Sequence, residues 1–215
     1  MFESIDLYCE RVAPGFGQEP LNSITGLLFV IVGLWALIRA PHLADRVAAG
    51  ALIAVGLASS AMHSWAISGL LVFDVVANQA YLIALGVVLA RRVTGASFKS
   101  AVVVAVLTAA YLNFISPSPV AYVLLGRIVE PWVTLSIVLA LLALLKRSQQ
   151  KTAFGLAVAS GLLLAGLPFR FLDAAACADW PVGTHFLWHS FNALSAAVLF
   201  RILRLPDDEN PQSAT

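Results

Sequence analysis

Charge is scarce in this chain. Of its 215 residues, 12% are Asp, Glu, Lys or Arg, against 60% hydrophobic residues. A soluble domain carries about 25% charged residues, so an ordinary water-exposed surface is excluded. Also missing are an internal repeat, a glycine-rich loop able to cradle phosphate, an Asn-x-Ser/Thr sequon and any nucleic-acid-binding pattern. The net charge of +1 gives no reason to expect a polyanionic partner. No cleavable signal peptide is visible, because Glu3, Asp6, Glu10, Arg11 and Glu19 occupy the place of a basic start followed by an apolar core.

What is present is long apolar runs, with a mean hydropathy of +0.88. A helix needs about 20 apolar residues to cross the hydrocarbon core. Seven such runs can be drawn, at about 21–40, 47–65, 70–90, 98–115, 120–145, 153–172 and 184–204. The expected fold is all-α: a polytopic, seven-transmembrane-helix bundle forming a single membrane domain over 1–205. It begins with a short extracytoplasmic segment, 1–20, and 206–215 is expected to be a disordered cytoplasmic tail. With seven spans, ten of the 13 basic residues fall on one side. The positive-inside rule then puts the C-terminus in the cytoplasm and the N-terminus outside. Short loops and the missing sequon are compatible with a bacterial inner membrane.

Several local features need weighing. Pro20 suits the first turn of the first span. Glu19, just before it, reads as a cap for that helix and Glu10 as a solvated group; both could instead hold a hard cation or contact a ligand's polar head. The first span carries no further marker. Pro131 beside Glu130 implies a kink in the fifth run, and Ser116-Pro117-Ser118-Pro119 an outer turn before it. Gly155, Ala157, Ala159 and Gly161 suit close packing in the sixth run, which is expected to end near Pro168. Cys9 and Cys177 both fall outside. In an oxidising compartment they could form a bridge; two unpaired thiols are the alternative.

The chemistry gathers at the outer ends of three spans. His185 and His189 are four apart and share a helix face, the spacing at which two imidazoles can hold one metal. In an apolar helix such a pair can equally be hydrogen-bonded core or haem ligands. Ser59 and His63, again four apart, close the second span, where a Ser ordinarily bonds back to a carbonyl and a His sits at the interface. Asp74 lies within the third span, where a carboxylate costs about 2.5 to 3.5 kcal/mol on insertion scales and so should face a polar cavity or a cation. Asn78 follows one turn later. The topology brings His63, Asp74, His185 and His189 to one depth, whereas His42 falls in a cytoplasmic loop. Three imidazoles and one open position make a catalytic zinc site. Such a site equips hydrolysis, with Asp74 relaying a proton and Ser59 donating to the oxyanion.

The ordered set Ser59-x3-His63, Asp74 and His185-x3-His189 resembles the alkaline ceramidase family, in the membrane hydrolase superfamily that also contains adiponectin-receptor-like proteins. Tyr8-Cys9-Glu10 and Glu19-x2-Asn22 look like that family's N-terminal motif. The resemblance implies zinc on His63, His185 and His189, catalytic roles for Ser59 and Asp74, and a Cys9–Cys177 disulfide. It also implies hydrolysis of the amide of ceramide, or of a related N-acyl lipid, to a sphingoid base and a fatty acid. The eukaryotic enzymes add calcium ligands where this chain has Leu7, Tyr8 and Val12. Glu10 and Glu19 remain and Asp6 is one position out of register, so the calcium rim is incomplete here. Two other functions share parts of this pattern: a lipid-sensing receptor-like protein with a zinc site and little turnover, and a haem protein using His185 or His189 as an axial ligand.

Overall fold

A computed structural model describes residues 3–115 and 130–204. Among these the chain is helical, with eight helices and no strand beyond an isolated bridge between Ser4 and Ile67. The helices are α1 (Pro20–Arg39), α2 (Leu43–Trp65), α3 (Ser68–Arg92), α4 (Phe98–Ile115), α5 (Glu130–Leu145), α6 (Gln150–Phe171), the single turn α7 (Asp173–Ala176) and α8 (His185–Ile202). Four of them, α1, α2, α3 and α6, are long and apolar enough to cross a membrane. The expected Ser116–Pro119 turn, the first part of the fifth run and the 206–215 tail lie outside the described residues.

In-chain neighbours pack side by side from α1 to α4, and α5 packs on α6; α8 sits between α6 and α1. A hydrogen bond of 2.9 Å between Tyr111 and Thr134 links α4 to α5. The outside of the bundle is apolar. On α1, Ile24, Ile31 and Ile38 recur every seven residues and are exposed, whereas Asn22, Gly26, Phe29, Gly33 and Ala36 face inward. That inversion of the soluble pattern is what a hydrocarbon surround requires.

The first span is not featureless, as its sequence suggested. A β-carbon on Gly56 of α2 would stand 2.7 Å from the backbone nitrogen of Val30, and one on Gly26 of α1 only 2.6 Å from Ser60 Oγ. The bare glycine faces let the two backbones approach closely, as small residues do between membrane helices. Ser60 donates to the Ser23 carbonyl at 2.8 Å across the same seam. In α6 only part of the small-residue set packs: Gly155 lies against Ile202 and Ala159 is fully buried, but Ala157 and Gly161 are on the exposed face. The helix also continues through Pro168 to Phe171. Pro168 sits in its last turn, where one missing N–H is tolerated and its own carbonyl still accepts from Leu172 at 2.8 Å. The kink expected at Pro131 falls at the border of the described residues, where α5 begins.

The turn between α2 and α3 is tight. Ala66 adopts a left-handed conformation (φ 42°) and α3 starts at Ser68 itself. The reversal places the end of α2, with His63, beside the start of α3, with Asp74.

Candidate metal centre

His63 lies in the last turn of α2, and His185 and His189 in the first two turns of α8. All three side chains are buried. Each offers a nitrogen such that the three ligand atoms lie within 4.8 Å of one another. The ring centroids are 5.2 Å (His63 to His185), 4.9 Å (His63 to His189) and 4.6 Å (His185 to His189) apart.

The groups around the rings set which nitrogens are free. His63 Nδ1 is 2.6 Å from Glu19 Oε2. A carboxylate accepts only, so Nδ1 carries the proton and Nε2 is left as a lone-pair donor. His189 Nδ1 is 3.1 Å from Thr25 Oγ1, whose own proton goes to the Leu21 carbonyl at 2.7 Å. Thr25 therefore accepts from His189, again leaving Nε2 free. His185 Nδ1 is buried without a hydrogen-bond partner among the described residues, a donor atom that a bound ion would satisfy. Two oriented imidazoles and a third with an unused nitrogen form a donor set that fits a divalent transition metal.

The same cavity is lined by Ser59, Asp74, Asn78, Arg170 and Asn192. Asp74 is buried, and its Oδ1 accepts from Asn78 Nδ2 at 3.3 Å. Ser59 makes no side-chain hydrogen bond among the described residues, so the ordinary back-bonded serine is not what occurs here. The pocket thus joins Ser59, His63, Asp74, His185 and His189, which the sequence places on three separate helices.

Glu10 and Glu19 are not in that lining, and both depart from the sequence reading. Glu10, not Glu19, caps α1, accepting from the backbone N–H groups of Leu21 (2.6 Å) and Asn22 (2.9 Å). It is buried rather than solvated, and burial pushes its carboxyl above the usual range. Glu19 instead joins Arg11 (2.7 Å) to His63. Burial alone would raise its pKa, but the hydrogen bonds from His63 and Arg11 outweigh that and hold it below the usual carboxylate range.

The N-terminal segment closes the site. Tyr8 stacks on His185 with centroids 4.0 Å apart, and the Arg170 guanidinium lies 5.1 Å from the Tyr8 ring centre. Burial pushes the Tyr8 hydroxyl up to about 12, so it stays protonated. The Cys9–Cys177 disulfide, with Cα atoms 5.1 Å apart, ties this segment to the loop before α8. Asp173 organises that loop. It accepts from the N–H groups of Thr184 (2.6 Å), His185 (2.9 Å) and Cys9 (3.1 Å). Gly183 (φ 65°) is needed between them, because a β-carbon there would meet the Asp173 carboxylate.

Compared with known proteins, no family model matches the chain and no curated protein matches it.

Proposed function

We propose that the chain is a zinc-dependent intramembrane amidohydrolase that cleaves ceramide or a related N-acyl lipid to a sphingoid base and a fatty acid. The observation that carries this reading is three buried imidazoles with ligand atoms within 4.8 Å, in one cavity with Asp74 and Ser59. The likeness of this residue set to the alkaline ceramidases supports it further. All seven long apolar runs would then be spans, with the N-terminus and the site on the extracytoplasmic side, as in a bacterial inner membrane. A disulfide beside the site accords with that sidedness.

His63, His185 and His189 would hold the metal. Zinc in such a three-histidine site keeps one position open and activates water for attack on a carbonyl at neutral pH. Asp74 Oδ1 is steadied by Asn78, leaving Oδ2 to take the proton from the attacking water and pass it to the departing amine nitrogen. The Ser59 hydroxyl, free of other partners among the described residues, donates to the carbonyl oxygen as charge develops there. Phe29, Val55, Trp132 and Trp188 wall the cavity, keep bulk water out and suit a substrate with long chains.

The purified protein should contain about one zinc per chain, lost in His63→Ala and His189→Ala. It should release fatty acid from an N-acyl sphingoid lipid in detergent, and Asp74→Ala should abolish release. Unchanged zinc after both histidine substitutions, or no release from any N-acyl lipid by the zinc-loaded protein, would refute the proposal.

A further inference from the structure

The cavity contains a polar side chain that the hydrolytic reading leaves unused. Asn192 is 2% exposed, and neither its Nδ2 nor its Oδ1 has a hydrogen-bond partner among the described residues. Buried amides are rarely left so, because the desolvated group loses its bonds to water and gains none. Two other orphaned carboxyl or amide groups differ in kind. Asn22 already donates to Glu19 through Nδ2. Asp45 lies in the first turn of α2, about five turns from His63 and away from the cavity. Asn192 alone of the three lines the cavity with the histidines.

Its position is set by the helix. His185, His189 and Asn192 stand at i, i+4 and i+7 of α8, so they share one face. Asn192 lies three positions after His189, about 4.5 Å of helix rise, on the side away from the Tyr8 closure. Ser59 occupies the matching level on α2, one turn below His63. A group bonded to Asn192 therefore lies within a few bonds of an atom held at the three histidines. Phe29, Val55, Trp132 and Trp188 form the apolar part of the surrounding wall, and the Ser59 hydroxyl is the polar group that faces Asn192's level from α2.

We propose that Asn192 is the residue by which this pocket recognises a hydroxyl carried next to the scissile amide of its lipid. A carboxamide presents donors and an acceptor together, and a hydroxyl uses one of each. A carboxylate would use only the donors, and an ammonium only the acceptor. The hydroxyl can belong to the carbon beside the carbonyl on the acyl arm, or to a carbon beside the nitrogen on the amine arm. This inference rests on the amidohydrolase reading for its substrate class, but not for the existence of the subsite.

The test uses zinc-loaded full-length protein and three N-acyl alkylamines of equal chain length: one plain, one hydroxylated on the acyl arm and one on the amine arm. In the wild type, one hydroxylated amide should be preferred about tenfold in kcat/KM over the plain one, the scale of one neutral hydrogen bond. Asn192→Leu should bring that ratio to about one; Asn192→Ala, which likewise removes both the donor and the acceptor, serves if the leucine variant does not retain its zinc. Which hydroxylated amide is preferred assigns the arm. The matching secondary amines have no carbonyl to cleave, and their binding can be read from quenching of Trp132 and Trp188 fluorescence. If no amide is cleaved, the hydrolase reading fails, yet binding of the three amines still decides the role of Asn192. Equal handling of plain and hydroxylated ligands by the wild type, or a preference that survives in the Asn192 variant, would overturn the proposal.

Discussion

Glu19 Oε2 stands 2.6 Å from Nδ1 of His63, 44 residues further along the chain, while its other oxygen is held by Arg11 at 2.7 Å. One buried carboxylate thus fixes the ring of a candidate metal-binding histidine and anchors the N-terminal segment over the site. Carboxylates in this position set the tautomer of a ligand imidazole and make it a better donor. Glu19→Gln should lower zinc affinity about 10- to 100-fold, the usual effect of losing such a partner. Competition with a chromophoric chelator measures it. An unchanged zinc affinity would mean that the contact does not orient His63.

Thr25 supports His189 as Glu19 supports His63, but through a neutral hydroxyl at 3.1 Å. Neutral hydrogen bonds are about half as strong as charge-assisted ones. Thr25→Val keeps the shape and removes the acceptor, so its loss of zinc affinity should be clearly smaller than that of Glu19→Gln. The same titration applied to both variants ranks them. An equal or larger loss in Thr25→Val would contradict the assigned tautomers.

How far the site was legible in the sequence depends on which residues one considers. His63, Asp74, His185 and His189 could be brought together because hydrophobic runs fix where each span turns, and the turns fix depth. Among the described residues most helix bounds lie within a few residues of the apolar runs, the start of the fifth run being outside them, because a long apolar run leaves the backbone few other ways to satisfy its hydrogen bonds. Glu10 and Glu19 were misassigned because capping was read from adjacency. The chain folds back between them, so the carboxylate ten residues before Pro20 reaches the helix start and the adjacent one turns inward. Thr25, Asp173 and Asn192 carried no local signal, since their partners are either distant in sequence or missing among the described side chains. A Gly at positions 26, 33 and 56 was the readable trace of the α1–α2 seam, which a composition-based view of the first span passed over.

Asp173 accepts three backbone N–H bonds, from Thr184, His185 and Cys9. Asp173→Ala would leave the start of α8 and Cys9 without them. A buried donor left unpaired costs about 1 to 3 kcal/mol, so the variant should be substantially less resistant to heat in detergent. Asp173→Asn, which keeps a carbonyl oxygen in place, should lose less. Thermal inactivation of zinc binding measures both; equal stability of Asp173→Ala and wild type would remove Asp173 from the account.

The Cys9–Cys177 bond joins residues 168 positions apart and lies between Tyr8, which covers His185, and the loop that starts α8. Bridges of this kind contribute about 2 to 4 kcal/mol, mainly by restricting the unfolded chain. Here a local effect should accompany the global one. The segment from Tyr8 to Arg11 is held by the bridge, by the Asp173 contact to the Cys9 N–H, and by the Arg11–Glu19 pair. Cutting the bridge removes one of the ties on this segment, beside the candidate metal centre. Cys9→Ser with Cys177→Ser should therefore exchange zinc faster than wild type at temperatures where both remain folded, in addition to unfolding at lower temperature. Combining it with Glu19→Gln should accelerate exchange by more than the two separate effects multiplied together, because both act on the same flap. Independent, purely multiplicative effects would mean that the N-terminal segment stays seated without the disulfide and that the bridge serves global stability alone.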